Sequence, residues 1–271
     1  MKIQVLSDIH LEYRTLLPEL IPKAPYLFLP GDIGKLHIPI YKQFMDYVSS
    51  KWKHVFITLG NHEFYNNKKD VDTLIDEYTE FFEHYDNITL LEQNIAYIED
   101  YCIIGLVLWS YIDPTTDAGR YINCPTHIKQ RIDVSKTSPS NPIRTVPIGI
   151  DLYNELHSIS KEWLLETYNP HQPKTIIMTH YPLSNDSRVI HSKHHNQPQY
   201  IKDLFTNNIH LFPANENGKL VCISGHTHHS ADFYCNDYPN QQVRYISNQL
   251  GYVDENNQPD AIVLEKVFTL D

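Results

Sequence analysis

An α/β architecture built on a parallel sheet is what the sequence predicts, and three observations carry it. Short apolar runs alternate with segments of helical periodicity over residues 2–85. That order of strand, helix, strand, helix implies parallel strands joined by right-handed crossovers. Later in the chain, short strand-like runs dominate. Five apolar runs end in Asp, Asn or His, and open α/β sheets bind ligands at the carboxyl ends of their strands.

Residues 2–7, KIQVLS, read as a short buried strand, and 26–32, YLFLPGD, as a second. Residues 38–52 place Ile40, Phe44, Tyr47, Val48 and Trp52 at helical spacing. A third strand is predicted over 54–63, HVFITLGNHE. Residues 70–85 put Val71, Leu74, Ile75, Tyr78, Phe81 and Phe82 on one face, and their acidic start suits the helix dipole. After residue 88, ITLLEQ, IAYIED and YCIIGLVLWS are short strands with tight connections, as in hairpins. Tyr111 to Gly149, with five prolines, reads as loop. A helix follows over 152–168, where Leu152, Leu156, Ile159 and Trp163 repeat at three-to-four spacing. KTIIMTHY, 174–181, is a buried strand leading into a histidine-rich loop. KLVCISGHTH, ADFYCND, QVRYISN and DAIVLEKVF complete a strand-rich end. No repeat or linker interrupts residues 1–271, which we read as one domain. Its long segments near 111–149 and 184–199 are expected to rim a cleft and to set substrate choice.

The formal net charge of −11, with Lys68-Lys69 the only adjacent basic pair, excludes a protein that coats duplex nucleic acid. No apolar run approaches a membrane span, so no membrane partner is expected. The N-terminus reaches Asp8 without the apolar core of a secretory leader. Cys102, Cys124, Cys222 and Cys235 form no C-x-x-C pair. These features imply a reducing, cytoplasmic setting without disulfides, which makes the sequons at Asn87 and Asn185 chance matches.

The punctuation of the strands is more specific. VLSDIH presents Asp8 and His10; LFLPGD presents Asp32; FITLGNHE presents Asn61 and His62; IIMTH presents His180; CISGHTH presents His226 and His228. Each is a carboxylate, amide or imidazole, the donors of hard and borderline metals. Gly31, Gly60 and Gly225 precede three of the five, where positive φ or close backbone approach would let a chain turn beside an ion. In D-I-H and H-T-H, the i, i+2 spacing directs both side chains to one side if the backbone stays extended.

The series D-x-H, G-D, G-N-H-E, H, G-H-x-H, in this order and each after a strand, resembles the motif set of the calcineurin-like metallophosphoesterases over residues 8–228. The resemblance implies an α/β fold of the four-layer α/β/β/α type, with two mixed sheets flanked by helices. It implies that Asp8, His10, Asp32 and His228 hold one metal, that Asp32, Asn61, His180 and His226 hold the other, and that Asp32 bridges. His62 resembles the residue that approaches the leaving group and binds no metal. The implied chemistry is hydrolysis of a small phosphate ester by in-line attack of a metal-bridging hydroxide. Ligation without thiolate suits Mn, Fe, Zn or Co, as two divalent or trivalent ions, better than Mg or Ca. With two carboxylates against two divalent ions, an acidic protein can hold a local cationic pocket for phosphate.

The motif order also resembles the class III cyclic-nucleotide phosphodiesterases. GDIGKLH and GNHEFYNN carry none of the arginines of the Ser/Thr phosphatase branch, so a phosphodiesterase is expected. The alternatives are a phosphomonoesterase, a nuclease on short oligonucleotides, or a non-catalytic metal-binding scaffold. Glu63 is either a brace for a ligand or an exposed acid at a helix start. Tyr13, Tyr65 and Tyr181 adjoin motif residues and are candidates for the mouth. His191, His194, His195 and His229 read as loop or rim residues rather than ligands.

Overall fold

The computed structural model describes residues 1–65, 69–118, 129–133, 143–147, 149–214, 217–238, 241–253 and 264–271. The chain begins with strand β1 (Lys2–Val5), β2 (Tyr26–Pro30), helix α1 (Pro39–Lys51) and β3 (His54–Thr58). A single helical turn, α2 (Asn61–Phe64), precedes α3 (Val71–Phe82) and β4 (Ile88–Leu90). Strands β1 to β4 are parallel and adjacent in order, and β13 (Val267–Thr269) closes the sheet antiparallel to β1. β2 is buried at every position, as expected of a strand covered on both faces.

The second sheet has the order β11-β12-β10-β9-β6-β5. Its members are β5 (Asn94–Ile98), β6 (Tyr101–Leu106), β9 (Lys174–Thr179), β10 (Lys219–Ile223), β11 (Ala231–Tyr238) and β12 (Gln241–Ser247). The inner four strands are parallel, and β5 and β11 are antiparallel edges. Helix α4 (Ile150–Thr167) connects toward β9, and the short α5 (Gln199–Lys202) lies before β10.

Packing follows from the periodicities. One apolar cluster joins Ile3, Val5, Phe28 and Phe56 of the first sheet to Ile103, Ile176, Met178, Val221 and Ile223 of the second, so the sheets face each other. Helices α1 and α3 cover the outer face of the first sheet. There Tyr41, Phe44, Met45, Val48, Leu74 and Tyr78 meet Leu27, Leu29, Val55 and Ile57. Leu164 of α4 covers Ile104, Leu106 and Ile177 on the outer face of the second. The result is an α/β/β/α sandwich of two mixed sheets. α1 starts with Pro39 in its first turn, where the missing N–H costs nothing, and Asp70 caps α3 by accepting from Thr73 N at 2.9 Å.

Three expectations change. β4 pairs with β3 in the first sheet, so ITLLEQ forms no hairpin with IAYIED; only β5 and β6 do. A short apolar run records that a strand exists but not which sheet takes it. The segment read as loop from Tyr111 contains an antiparallel hairpin, β7 (Lys129–Asp133) with β8 (Ile143–Pro147). The other residues of that segment between 119 and 148 lie outside the described residues, as do 260–263 in DAIVLEKVF. The strand over 54–63 stops at Thr58, because Asn61 begins a helical turn.

Candidate metal centre

Asp8, His10, Asp32, Asn61, His62, His180, His226 and His228 all follow the carboxyl ends of parallel strands, β1, β2, β3, β9 and β10. The face-to-face packing of the two sheets brings these ends together. Ligand atoms of Asp8, His10 and His228 lie within 4.8 Å of one another, as do those of Asp32, His180 and His226. His10, Asp32 and His62 form a third such group. Asp32 Oδ2 stands 3.8 Å from His10 Nε2 and 3.5 Å from His180 Nε2, so one carboxylate joins the two halves. His10 Nε2 and His228 Nε2 are 3.1 Å apart, and Asp8 Oδ1 is 3.5 Å from His228 Nε2. Asn61 Oδ1 lies 2.8 Å from His180 Nε2 and 2.9 Å from His226 Nδ1. Donors held about 2.0–2.2 Å from one ion sit roughly 3 Å from each other, so this spacing fits coordination.

The ligand loops do not stay extended. Asp8, His10, Asp32, His226 and His228 all have positive φ, between 49° and 70°. Asp and His tolerate the left-handed region better than most residues, and the surrounding bonds hold it. Asp8 N donates to Gly31 O at 3.2 Å, His10 N to Asp32 O at 3.0 Å, and Gly225 N to His180 O at 2.9 Å. His226 N donates to Asp8 Oδ1 at 3.0 Å, and Ser7 Oγ to Asp8 Oδ2 at 2.5 Å. Convergence is therefore produced by kinked strand exits, rather than by the extended i, i+2 alternation expected from sequence. Of the three glycines, only Gly31 has positive φ, at 84°. Close approach explains the other two. A side chain on Gly60 would strike Asp32, and one on Gly225 would come within 2.7 Å of Asp8 Oδ2.

Glu63 is buried, so it is a brace and not an exposed acid. It accepts from Gly60 N at 2.7 Å, Asp32 N at 3.0 Å, Ile33 N at 2.7 Å and Gly34 N at 3.1 Å. It thereby ties the G-D turn to the G-N-H-E turn. Burial and the Asp32 carboxylate push its pKa up to about 8, while the four N–H donors favour its ionised form.

The electrostatics of the centre call for positive charge. Burial opposes ionisation of His180, yet the Asp32 and Asp8 carboxylates lift it to about 9. His226 is held well below the usual histidine range by burial and by His180. Asp32 resists protonation: burial would raise it, but His180, His62 and His10 hold it well below the usual carboxylate range. His180 Nδ1 is 2.9 Å from Pro30 O, which fixes the tautomer that points Nε2 at Asp32 and Asn61.

Two residues were not legible as site residues. Glu12 lies 3.0 Å from His62 Nδ1 and 3.3 Å from His10 Nδ1 through the same Oε1. Burial would raise its pKa, but these imidazoles hold it at about 2. Tyr252 places its hydroxyl 3.1 Å from His62 Nε2 and stacks on the His10 ring at 4.4 Å. Glu12 had a local clue, two residues after D-x-H; Tyr252 had none. His62 itself lies in the first positions of a helical turn, with its N donating to Asp32 Oδ1 at 2.8 Å, so the strand predicted over 54–63 does not extend to it.

Among the tyrosines, Tyr13 is exposed beside His62, with ring centres 6.3 Å apart, and Tyr65 lies 4.9 Å from the same ring. Tyr181 is buried against His226 at 3.9 Å and is a wall of the site, not its mouth. His194 packs against Phe205 with ring centres 4.6 Å apart, and the Phe205 ring lies 5.8 Å from that of His226. His229 is half-buried beside His191, with ring centres 5.9 Å apart, rather than an exposed loop residue.

The model of the calcineurin-like phosphoesterase family matches residues 1–230. The chain belongs to that family. This phosphoesterase is 29% identical, over 94% of its length and 92% of the relative's, to an uncharacterized protein of Acanthamoeba polyphaga mimivirus. Among solved structures it is similar to a phosphopantetheinyl hydrolase from Mycobacterium tuberculosis, with a TM-score of 0.61 over 97% of this chain and 95% of that one. At 16% identity that likeness shows the fold. The family implies divalent metal ions, and the Asp and His groups of this phosphoesterase can bind them. Metal-dependent hydrolysis of a phosphoester is the chemistry that the family and these groups support. Among the described residues no helix is long and apolar enough to cross a membrane.

Proposed function

We propose that the protein is a two-metal phosphodiesterase acting on a small phosphate ester. The observation that carries the two-site reading is Asp32, whose Oδ2 faces His10 on one side and His180 on the other. Asp8, His10, Asp32 and His228 would hold one ion, and Asp32, Asn61, His180 and His226 the other. Mn, Fe, Zn or Co suit this set. When bound, such ions supply Lewis acidity and a water acidic enough to act near neutral pH.

The chain's own residues do the rest. Glu12 holds His62 Nδ1, which leaves Nε2 on the side of the Tyr252 hydroxyl. Burial lowers the His62 pKa, but Asp32 and Glu12 outweigh it and raise it, which favours the imidazolium that can donate to a departing oxygen. Glu63 and the three glycines hold the turns in place.

The charge of the donors supports a diester. A monoester carries about one more negative charge than a diester near neutral pH and calls for cationic clamps. Among the described residues, the groups beside His62 are Tyr65, Tyr252, Glu12 and His10, with no guanidinium or ammonium, and the guanidinium of Arg14 is engaged with Ile9 O at 2.5 Å and Gly251 O at 2.7 Å. Hydrolysis should be measured with Mn-loaded protein on matched aryl mono- and diesters, cyclic nucleotides, dinucleotides and a phosphopantetheinyl ester, the last suggested by the structural neighbour's name. Higher kcat/KM on the diester than on its monoester is expected. The reverse order with the same metal refutes the diester reading.

A further inference from the structure

Tyr252 sits on a loop that no motif marks, yet two bonds tie that loop to the segment bearing Asp8 and His10. Leu250 N donates to Ser7 O at 2.9 Å. Arg14 Nη2 donates to Gly251 O at 2.7 Å while its Nε donates to Ile9 O. Gly251 has a φ of 73°, a turn that glycine permits and that aims the next side chain into the site. The Tyr252 ring lies 4.4 Å from the His10 ring and 4.7 Å from the His228 ring, over two members of one ligand group. Its hydroxyl reaches His62 Nε2 at 3.1 Å.

We propose that Tyr252 is a catalytic residue, whose hydroxyl donates a hydrogen bond to a non-bridging oxygen of the phosphodiester beside His62. This rests on the diester reading above and deepens it. A reacting phosphoryl group must lie near the ligand groups, with its leaving oxygen toward His62. The Tyr252 hydroxyl is then adjacent to both. A phenol on a stacked ring has only two side-chain torsions and is fixed before substrate arrives, which is the condition for a donor to stabilise charge developing in the transition state. It is also neutral. It can match the single charge of a diester where a guanidinium would match the double charge of a monoester.

Tyr252→Phe keeps the ring and its stacking on His10 and removes only the donor. The variant should retain the wild-type metal content. It should lose about 10²-fold in kcat/KM on diesters, a typical cost of one such donor. The loss should be the same for nitrophenyl and alkyl leaving groups, because the bond goes to a non-bridging oxygen. Inorganic phosphate, measured by calorimetry on the metal-loaded protein, should bind more weakly. Wild-type kcat/KM and unchanged phosphate binding in Tyr252→Phe would overturn the proposal. So would a loss of activity that merely follows a loss of metal. The diester reading is judged separately, by whether the wild type itself prefers diester over monoester.

Discussion

At the scale of single residues, the proposed function gives one imidazole beside the centre a role distinct from the proposed ligands. His62 is anchored through Nδ1 to Glu12 and meets the Tyr252 hydroxyl with Nε2. A leaving group that departs readily as an anion needs little help from it; an alkoxide needs a proton. His62→Asn should keep its metal and most of its activity on a nitrophenyl diester, and lose about 10²–10⁴-fold on an alkyl or nucleoside diester. Equal loss across leaving groups would show that His62 is not the donor. Glu12 touches both His62 and His10 through one oxygen, so in the proposed mechanism its charge serves the acid and a metal ligand together. Glu12→Gln removes that charge at constant size. Both the affinity for one ion and the rate on alkyl diesters should fall, each by about 10–100-fold. A variant changed in neither would reduce Glu12 to a packing residue.

At the scale of elements, strand ends were legible and their geometry was not. Apolar runs closing in Asp8, Asp32, Asn61, His180 and His226 announced their place because a parallel sheet aligns its carboxyl ends. The positive φ at five ligands depends on bonds between segments far apart in sequence, such as His226 N to Asp8 Oδ1, and no local pattern encodes it. Tyr252 was hidden for the same reason, since its approach to His62 spans 190 positions. The turn between β4 and β5 carries a separate consequence. Glu92 buries Oε2 without a hydrogen-bond partner, and burial, opposed by Val107 N–H, raises its pKa from 4.5 to about 8. Folded Glu92 stays neutral across that window while the unfolded chain ionises. Its contribution to stability is therefore full below about 4.5 and is lost as pH rises toward about 8. Glu92→Gln cannot ionise. Its denaturant midpoint relative to wild type should rise between the lower and upper ends of the window, whereas a constant difference would place the carboxylate in water.

At the scale of the whole molecule, a protein of formal charge −11 concentrates imidazoles and two carboxylates where two sheets meet. Each sheet supplies part of the set: the first gives Asp8, His10, Asp32 and Asn61, the second His180, His226 and His228. Neither half is complete alone, and the apolar cluster between the sheets fixes their distance. The central claim is that Asp32 joins the two halves into one two-metal centre. Metal analysis of wild type, Asp32→Ala and His10→Ala, after loading with manganese and removal of free ions, tests it most directly. The account predicts two ions per chain in the wild type, loss at both sites in Asp32→Ala, and loss mainly at one in His10→Ala. Two ions still bound per chain in Asp32→Ala would contradict it.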